Sequence, residues 1–389
     1  MTSDRYARQQ LIAWWDQERL RNARVLVAGA GALGNEVLKN LALVGVGHLL
    51  VIDFDRVEAS NLSRTTLFRE SDIGRSKVEV AAETLARLNP EVTVQTIHGN
   101  LFYDVGLGYY RQSDLAIGCL DNLAARSVVG RNCGLAGIPY LDGGMWSLGG
   151  EVRWFFAENG PCFDCTLSID DLERADERRS CTGFRPDWDE TEQVSTIATT
   201  ASIVGGLLAQ EAIKRLCGYP VTPGKAIVYN GQALTLHRTE LIRNPDCTFS
   251  HTAYQNVIAL SETTTTLTPR QLLAMGHCEL ERQRLAESTV DTTAPPDMPV
   301  LLELGRDFLV ALQCPTCGLH QEVNQHWNQV SERERTCPSC GAIRRAEVVR
   351  TLDEGSAYID RSLSALGVPH GEVLAVRASG RLVLYEVAH

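Results

Sequence analysis

The chain has 389 residues, 44% of them hydrophobic, and a formal net charge of −11 at pH 7. That length allows two or three domains around a large buried core. A surface this negative repels phosphate backbones and anionic headgroups, which excludes general affinity for nucleic acids or membranes.

The first element is the apolar strand R-V-L-V-A, which runs into the loop G-A-G-A-L-G (Gly29, Gly31, Gly34). A helical pattern follows over residues 35 to about 44. Such a turn exposes backbone N–H groups at a helix N-terminus, where the macrodipole and unpaired donors favour a phosphate. A second strand, H-L-L-V-I-D-F-D, ends at Asp53 and Asp55, and Asn61, Arg64, Lys77 and Asp121 come after it. A dehydrogenase needs only the glycines and one ribose-binding acid near Asp53. The extra Asn, Arg and Lys exceed that need. Two fixed cations can neutralise a triphosphate, and Asp121, ending the strand D-L-A-I-G-C-L-D, stands where a carboxylate can hold magnesium against it. No G-x-x-x-x-G-K-[ST] occurs, so a P-loop ATPase is excluded. Taken singly, Arg64 and Lys77 read as solvated surface charges and Asp121 as a helix N-cap. Their joint occurrence favours a nucleotide site.

Between these residues lie a helix over 77 to 88 and the strand V-T-V-Q-T-I-H-G. Strands alternating with helices give right-handed crossovers and a mainly parallel, Rossmann-like sheet, with ligands at the strand C-terminal ends. From Gly150, E-V-R-W-F-F reads as a strand extending the sheet, and residues 195 to 216 as a long helix. The Thr-rich 262 to 268 and 292 to 299 read as linkers or exposed loops. Between them L-T-P-R-Q-L-L-A-M has a capped helical start. The end of the chain gives two strands around an S-G-R turn.

Twelve cysteines would suggest disulfides in a secreted protein, but eight lie in patterns that suit metal ligands or a thiol nucleophile. Cys314 and Cys317 pair with Cys337 and Cys340 across nineteen intervening residues, the spacing of a zinc ribbon with a closed, structural site. Glycine after each knuckle permits the tight turn. Arg333, Arg335, Arg344, Arg345 and Arg350, interleaved with Glu332, Glu334 and Glu347, read as a solvated face. Cys119, Cys133, Cys217 and Cys278 read as inert packing. No leader pattern and no run of about 18 apolar residues is present, so a soluble, cytoplasmic protein without nucleic-acid or membrane partners is expected.

The strings R-Y-A-R-Q, V-I-D-F-D-R-V-E-A-S-N-L-S-R, I-G-R-S-K-V-E, C-L-D-N, P-C-F-D-C and I-R-N-P-D-C resemble the ubiquitin-activating-enzyme superfamily in its bacterial ThiF/MoeB-like form, over about residues 5 to 251. The resemblance implies a homodimer that binds ATP with magnesium and adenylates the C-terminal glycine of a small ubiquitin-like or sulfur-carrier protein. By it Asp53 holds the ribose, Asn61, Arg64 and Lys77 the phosphates, and Asp121 the magnesium, while Arg8 reaches into the partner's site. Ala32 replaces a glycine of some relatives, a change the loop should tolerate. Such relatives bind a second zinc through two C-x-x-C pairs. Here Cys162, Cys165 and Cys247 are present but Ser250 stands at the fourth place, so His251 is expected to complete a three-cysteine, one-histidine site. Cys181, beside Arg178 and Arg179 in the crossover loop of about 166 to 195, is the expected nucleophile for a thioester.

The expected architecture is therefore an α/β Rossmann-like adenylation domain over 1 to 251, a linker and helical segment over 252 to 299, and a small C-terminal α+β domain with the ribbon over 300 to 389. Adenylation followed by thioester formation on Cys181, with transfer to a conjugating enzyme, ranks first. Adenylation of a sulfur carrier for thiamine, molybdopterin or related biosynthesis is the alternative, and a non-catalytic nucleotide-binding scaffold ranks last.

Overall fold

A computed structural model describes residues 5–168, 170–171, 196–286, 299–326, 330 and 332–389. The chain forms two compact units. Among the described residues, the first comprises those up to Phe102 and those from Tyr109 to Ala253, and the second Tyr103–Gly108 and those from Tyr254 to His389.

The first unit is built on β1 (Arg24–Ala28), β2 (His48–Ile52), β3 (Thr93–Ile97), β4 (Leu115–Gly118), β5 (Tyr140–Trp146), β6 (Gly149–Phe155), β7 (Lys225–Asn230) and β8 (Thr235–Glu240). They form one sheet in the order β3-β2-β1-β4-β5-β6-β7-β8. The first five strands are mutually parallel, and β6, β7 and β8 extend the sheet antiparallel. The helices are α1 (Gln17–Asn22), α2 (Ala32–Leu43), α3 (Lys77–Leu88), α4 (Leu107–Arg111, whose first two residues fall in the second unit), α5 (Leu123–Ala136) and α6 (Ala198–Leu216). Strands covered on both faces need near-continuous apolar runs. Val25, Val27, Leu49, Val51, Ile117 and Leu141 accordingly meet Val37 and Leu41 of α2 and Val204 and Leu208 of α6 in one core. Each such side chain contributes roughly 1.5–3 kcal/mol. Gly205 lets α6 approach α2, since a Cβ there would lie 2.5 Å from Glu36 Cβ.

The second unit holds β9 (Ile258–Thr263), α7 (Pro269–Ala286), β10 (Leu301–Gln313), β11 (His320–His326), α8 (Glu332–Arg335), β12 (Arg345–Leu352), β13 (Val373–Ala378) and β14 (Arg381–Ala388). Its sheet runs β11-β10-β13-β14-β9, with β12 also on β10. Thr268 and Gln271 cap α7 reciprocally: Thr268 N donates to Gln271 Oε1 at 2.9 Å and Gln271 N to Thr268 Oγ1 at 3.4 Å, with Pro269 in the first turn. Ser379 (φ 50°) and Gly380 (φ 78°) turn β13 into β14, the left-handed pair that a tight hairpin requires.

Three local expectations change. The stretch read as linker and helical segment carries, besides the expected helix α7, the strand β9, and Thr264 in its Thr-rich run is fully buried. Polar composition misleads there because the threonines satisfy one another and the backbone: Thr263 Oγ1 lies 2.7 Å from Thr265 Oγ1, and Ser364 N donates to the Thr264 carbonyl at 2.8 Å. Arg344 is buried, donating to Gln321 Oε1 at 2.7 Å and to the Glu334 carbonyl, so it leaves the solvated face. Cys278 is exposed rather than packed. No helix among the described residues is long and apolar enough to cross a membrane.

Candidate active site

The glycine loop is shaped by close backbone approach. Gly29 has φ +95°, and a Cβ on it would lie 2.5 Å from the Cys119 carbonyl oxygen. A Cβ on Gly34 would overlap the carbonyl oxygen of Gly29, whereas one on Gly31 would meet nothing within 4 Å. The first and third glycines therefore serve the turn, and Gly31 keeps an open face. Ala32 opens α2 at a position where no glycine is needed. Gly34→Ala is expected to destabilise the first unit by about 3 kcal/mol, read as a lowered Tm, while Gly31→Ala leaves Tm unchanged.

Asp53 joins this loop to the end of β2. Its Oδ2 accepts from Ala30 N at 2.7 Å and its Oδ1 from Asp55 N at 2.8 Å. Burial raises its pKa above the ordinary aspartate value, opposed by Lys77 and these two amides. Protonation of the folded protein thus begins at higher pH than for free aspartate. Nucleotide binding that uses this carboxylate should weaken as pH falls through that raised pKa, a loss absent from the pH profile of Asp53→Asn.

Lys77 begins α3, is buried, and donates from Nζ to Asp55 Oδ2 at 2.7 Å. Asn61 is also buried. Its Oδ1 accepts from Glu58 N at 3.0 Å, and Arg64 Nη1 donates to the Ser60 carbonyl at 2.6 Å. Just beyond this segment, Leu67 is tied to the glycine loop by Asn35, which sequence reasoning missed. Asn35 Nδ2 donates to the carbonyls of Ala30 (2.7 Å) and Gly31 (3.0 Å), and Oδ1 accepts from Leu67 N at 2.9 Å. The available signal was a polar residue among apolar ones just after Gly34.

Asp121 follows β4, whose continuation Cys119 N donates to the Ala28 carbonyl at 2.8 Å beside Gly29. The N-cap of α5 is Asn122, not Asp121: Asn122 Oδ1 accepts from Ala125 N at 2.9 Å. The Asp121 carboxylate stays exposed, with Asn122 Nδ2 3.3 Å from its Oδ1. Arg8 is exposed just before Gln9–Leu11, anchored through buried Tyr6, whose hydroxyl accepts from Asn89 Nδ2 at 2.9 Å and donates to Glu91 at 3.0 Å. Direct bonds thus join Ala30 of the glycine loop, Asp53, Asp55 and Lys77, and Asn35 ties the same loop to Leu67, three residues past Arg64. Cys181 lies outside the described residues.

Cys162, Cys165, Cys247 and His251 offer ligand atoms all within 4.8 Å of one another. Cys162 Sγ lies 3.7 Å from Cys165 Sγ and 3.6 Å from Cys247 Sγ, and Cys165 Sγ lies 3.4 Å from His251 Nε2. Zinc–sulfur bonds of about 2.3 Å in a tetrahedron set sulfurs about 3.8 Å apart, so the donors fit zinc. His251 Nδ1 donates to the buried Ala157 carbonyl at 2.8 Å, which leaves Nε2 as the ligand nitrogen. Its φ of +59° lets a residue one place beyond Ser250 turn back into the site. Cys314, Cys317, Cys337 and Cys340 form the second such group, with Cys314 to Cys340 at 3.4 Å and Cys317 to Cys337 at 3.6 Å. Gly318 (φ 74°) and Gly341 (φ 72°) close the two knuckles, their N–H groups donating to the Cys314 and Cys337 carbonyls. Cys317 N reaches the Cys314 sulfur at 3.5 Å and, with other backbone donors, holds that thiol down at about 6.

The ThiF family matches residues 4–249. The chain is 34% identical over 248 residues to the molybdopterin-synthase adenylyltransferase of Salmonella typhimurium, covering 62% of this chain and 94% of that one. It is 33% identical over 254 residues to the sulfur carrier protein adenylyltransferase of Thermus thermophilus, with 63% and 89% covered. To the SAMP-activating enzyme E1 of Haloferax volcanii it is 32% identical over 258 residues, with 63% and 87% covered. Among solved structures, that of E. coli MccB with ATP aligns at TM-score 0.51 and 26% identity over 63% of this chain and 74% of that one. The matched stretch holds the glycine loop and the carboxylates and cations described around it, and the chain belongs to the ThiF family as an enzyme of the adenylyltransferase kind.

Proposed function

We propose that the chain uses ATP and magnesium to adenylate the C-terminal glycine carboxylate of a sulfur-carrier protein. The observation that carries this reading is an exposed Asp121 carboxylate, released from capping by Asn122, at the strand end beside a glycine loop with an open face at Gly31. The donor set fits a nucleotide with its cation: loop amides and two cations for phosphates, Asp53 for the ribose, and an exposed hard carboxylate. Magnesium, when bound, neutralises charge on the triphosphate.

The carrier's carboxylate oxygen forms the new bond to the α-phosphorus as the bond to the pyrophosphate oxygen breaks, and pyrophosphate leaves with that electron pair. The attacking group is already an anion, so no general base is required, and catalysis is positioning and charge neutralisation. Arg64 keeps donors for phosphate from the Ser60 anchor. Lys77 exchanges Asp55 for a phosphate oxygen, and Arg8 reaches the site of a second copy.

Thioester conjugation through Cys181 ranked first on sequence. The relatives named for molybdopterin synthase and for a sulfur carrier shift support to the sulfur-carrier reading. The test mixes the purified chain with ATP, magnesium and a carrier ending in glycine, and follows pyrophosphate release and adducts on a nonreducing gel. Carrier-dependent pyrophosphate without a thiol-sensitive adduct is expected. An adduct lost in Cys181→Ala would restore the conjugation reading, and no carrier-dependent pyrophosphate would sink both.

A further inference from the structure

Arg126, in the first turn of α5, folds back over the residue that precedes Asp121. Its Nε and Nη2 both donate to the Leu120 carbonyl, at 3.0 and 2.8 Å, and Nη2 also reaches the Gly143 carbonyl at 3.2 Å. The guanidinium is held from behind by acids. Asp142, with no solvent exposure, lies 3.6 Å from Nη1, and Glu151 lies 4.0 Å from it. Asp142 in turn accepts from Tyr140 at 2.8 Å and from Arg153 at 2.6 and 3.1 Å, and Arg153 pairs with Glu151 at 3.2 Å. Gly144 leaves room for this fork, since a Cβ there would lie 3.1 Å from Nη1 and Nη2.

Two arginines and two carboxylates balance in charge, and the Arg126 side chain is only 12% exposed. Burying such a cluster is costly and stabilises little in itself, so a specific geometric task is the better account of it. Arg126 Nε and Nη2 are engaged by two backbone carbonyls and its charge faces the acids, an arrangement suited to holding the Leu120 peptide. The carbonyl it grips belongs to the peptide that leads into Asp121, and Asn122 fixes the peptide after it. The Asp121 backbone is therefore held from both sides.

We propose that Arg126 is a positioning residue, its two-pronged grip on the Leu120 carbonyl setting the direction in which Asp121 faces a nucleotide-bound divalent cation. This inference depends on the magnesium role given to Asp121 above. A lysine at 126 keeps the charge beside Asp142 but has no planar fork to hold one carbonyl at two points.

The test measures binding of Mn2+ to the ATP complex of the full chain, and binding of ATP alone in EDTA. Arg126→Lys is expected to raise the Mn2+ half-saturation about tenfold or more, as loss of groups that orient a metal ligand does, with ATP binding in EDTA unchanged. An unchanged Mn2+ half-saturation in the folded variant overturns the proposal, and so does an equal loss of ATP and Mn2+ binding, the pattern of a purely structural residue. Arg126→Gln, which leaves Asp142 its bonds from Tyr140 and Arg153, reads the same split if the lysine variant does not fold. Asp121→Asn separates the two levels. If it binds Mn2+ like the wild type, the metal role of Asp121 fails; if it loses Mn2+ while Arg126→Lys does not, only the positioning role fails.

Discussion

Asp121→Ala is expected to lower carrier-dependent pyrophosphate release at least about 10²–10³-fold, the range lost when one preorganised electrostatic group is removed from a transition state. Its Tm should move by no more than about 2 °C. The side chain is exposed, and Asn122 rather than Asp121 caps α5, so the substitution removes only an exposed 3.3 Å bond from Asn122 Nδ2 and costs within about 0.5 kcal/mol. Asn122→Ala should instead lower Tm, losing about 1 kcal/mol of helix capping. Pyrophosphate release and calorimetry on the two variants separate these roles. An Asp121→Ala protein that keeps its activity but melts early would show the residue to be a structural one.

Removal of zinc from the second unit has the other large expected effect. The knuckle cysteines Cys314 and Cys337 are buried, and the apolar cluster beside them consists of Leu309, Leu312 and Val330 among the described buried residues. A core that small does not order a cysteine ribbon by itself, whereas a structural zinc contributes on the order of 10 kcal/mol. Wild-type protein should contain two zinc ions per chain, one for each group of four donors. Cys337→Ser should contain one and be cleaved by protease between β10 and β12 (Leu301–Gln313 and Arg345–Leu352). His251→Ala should likewise lose one zinc but keep the ribbon protected. Wild-type protein with a single zinc, or Cys337→Ser with two, would remove the ribbon assignment.

Much of the first unit was legible because its signals are local. The run R-V-L-V-A, the glycines after it and the helix from Lys77 to Leu88 each state their conformation within a dozen residues, through burial on both faces, freedom at φ and helical period. The cysteine spacings work in the same way, since a knuckle is a tight turn with fixed donors. Even the approach of His251 to Cys162, Cys165 and Cys247 could be anticipated, because an imidazole nitrogen serves a tetrahedral zinc as a thiolate does.

What the chain order alone determined, then, was the parallel sheet, the glycine loop and the roster of carboxylates, cations and thiols. Tertiary structure alone decided which of them met. Lys77 lies against Asp55, Asn35 ties the glycine loop to Leu67, Arg126 grips Leu120 under a buried Asp142, and β9 with α7 joins the second unit. A hydrogen bond or ion pair depends on distance and direction in space to within a few tenths of an ångström. Residue type and spacing carry that information only where the partners share a turn, and these partners lie between six and 32 residues apart.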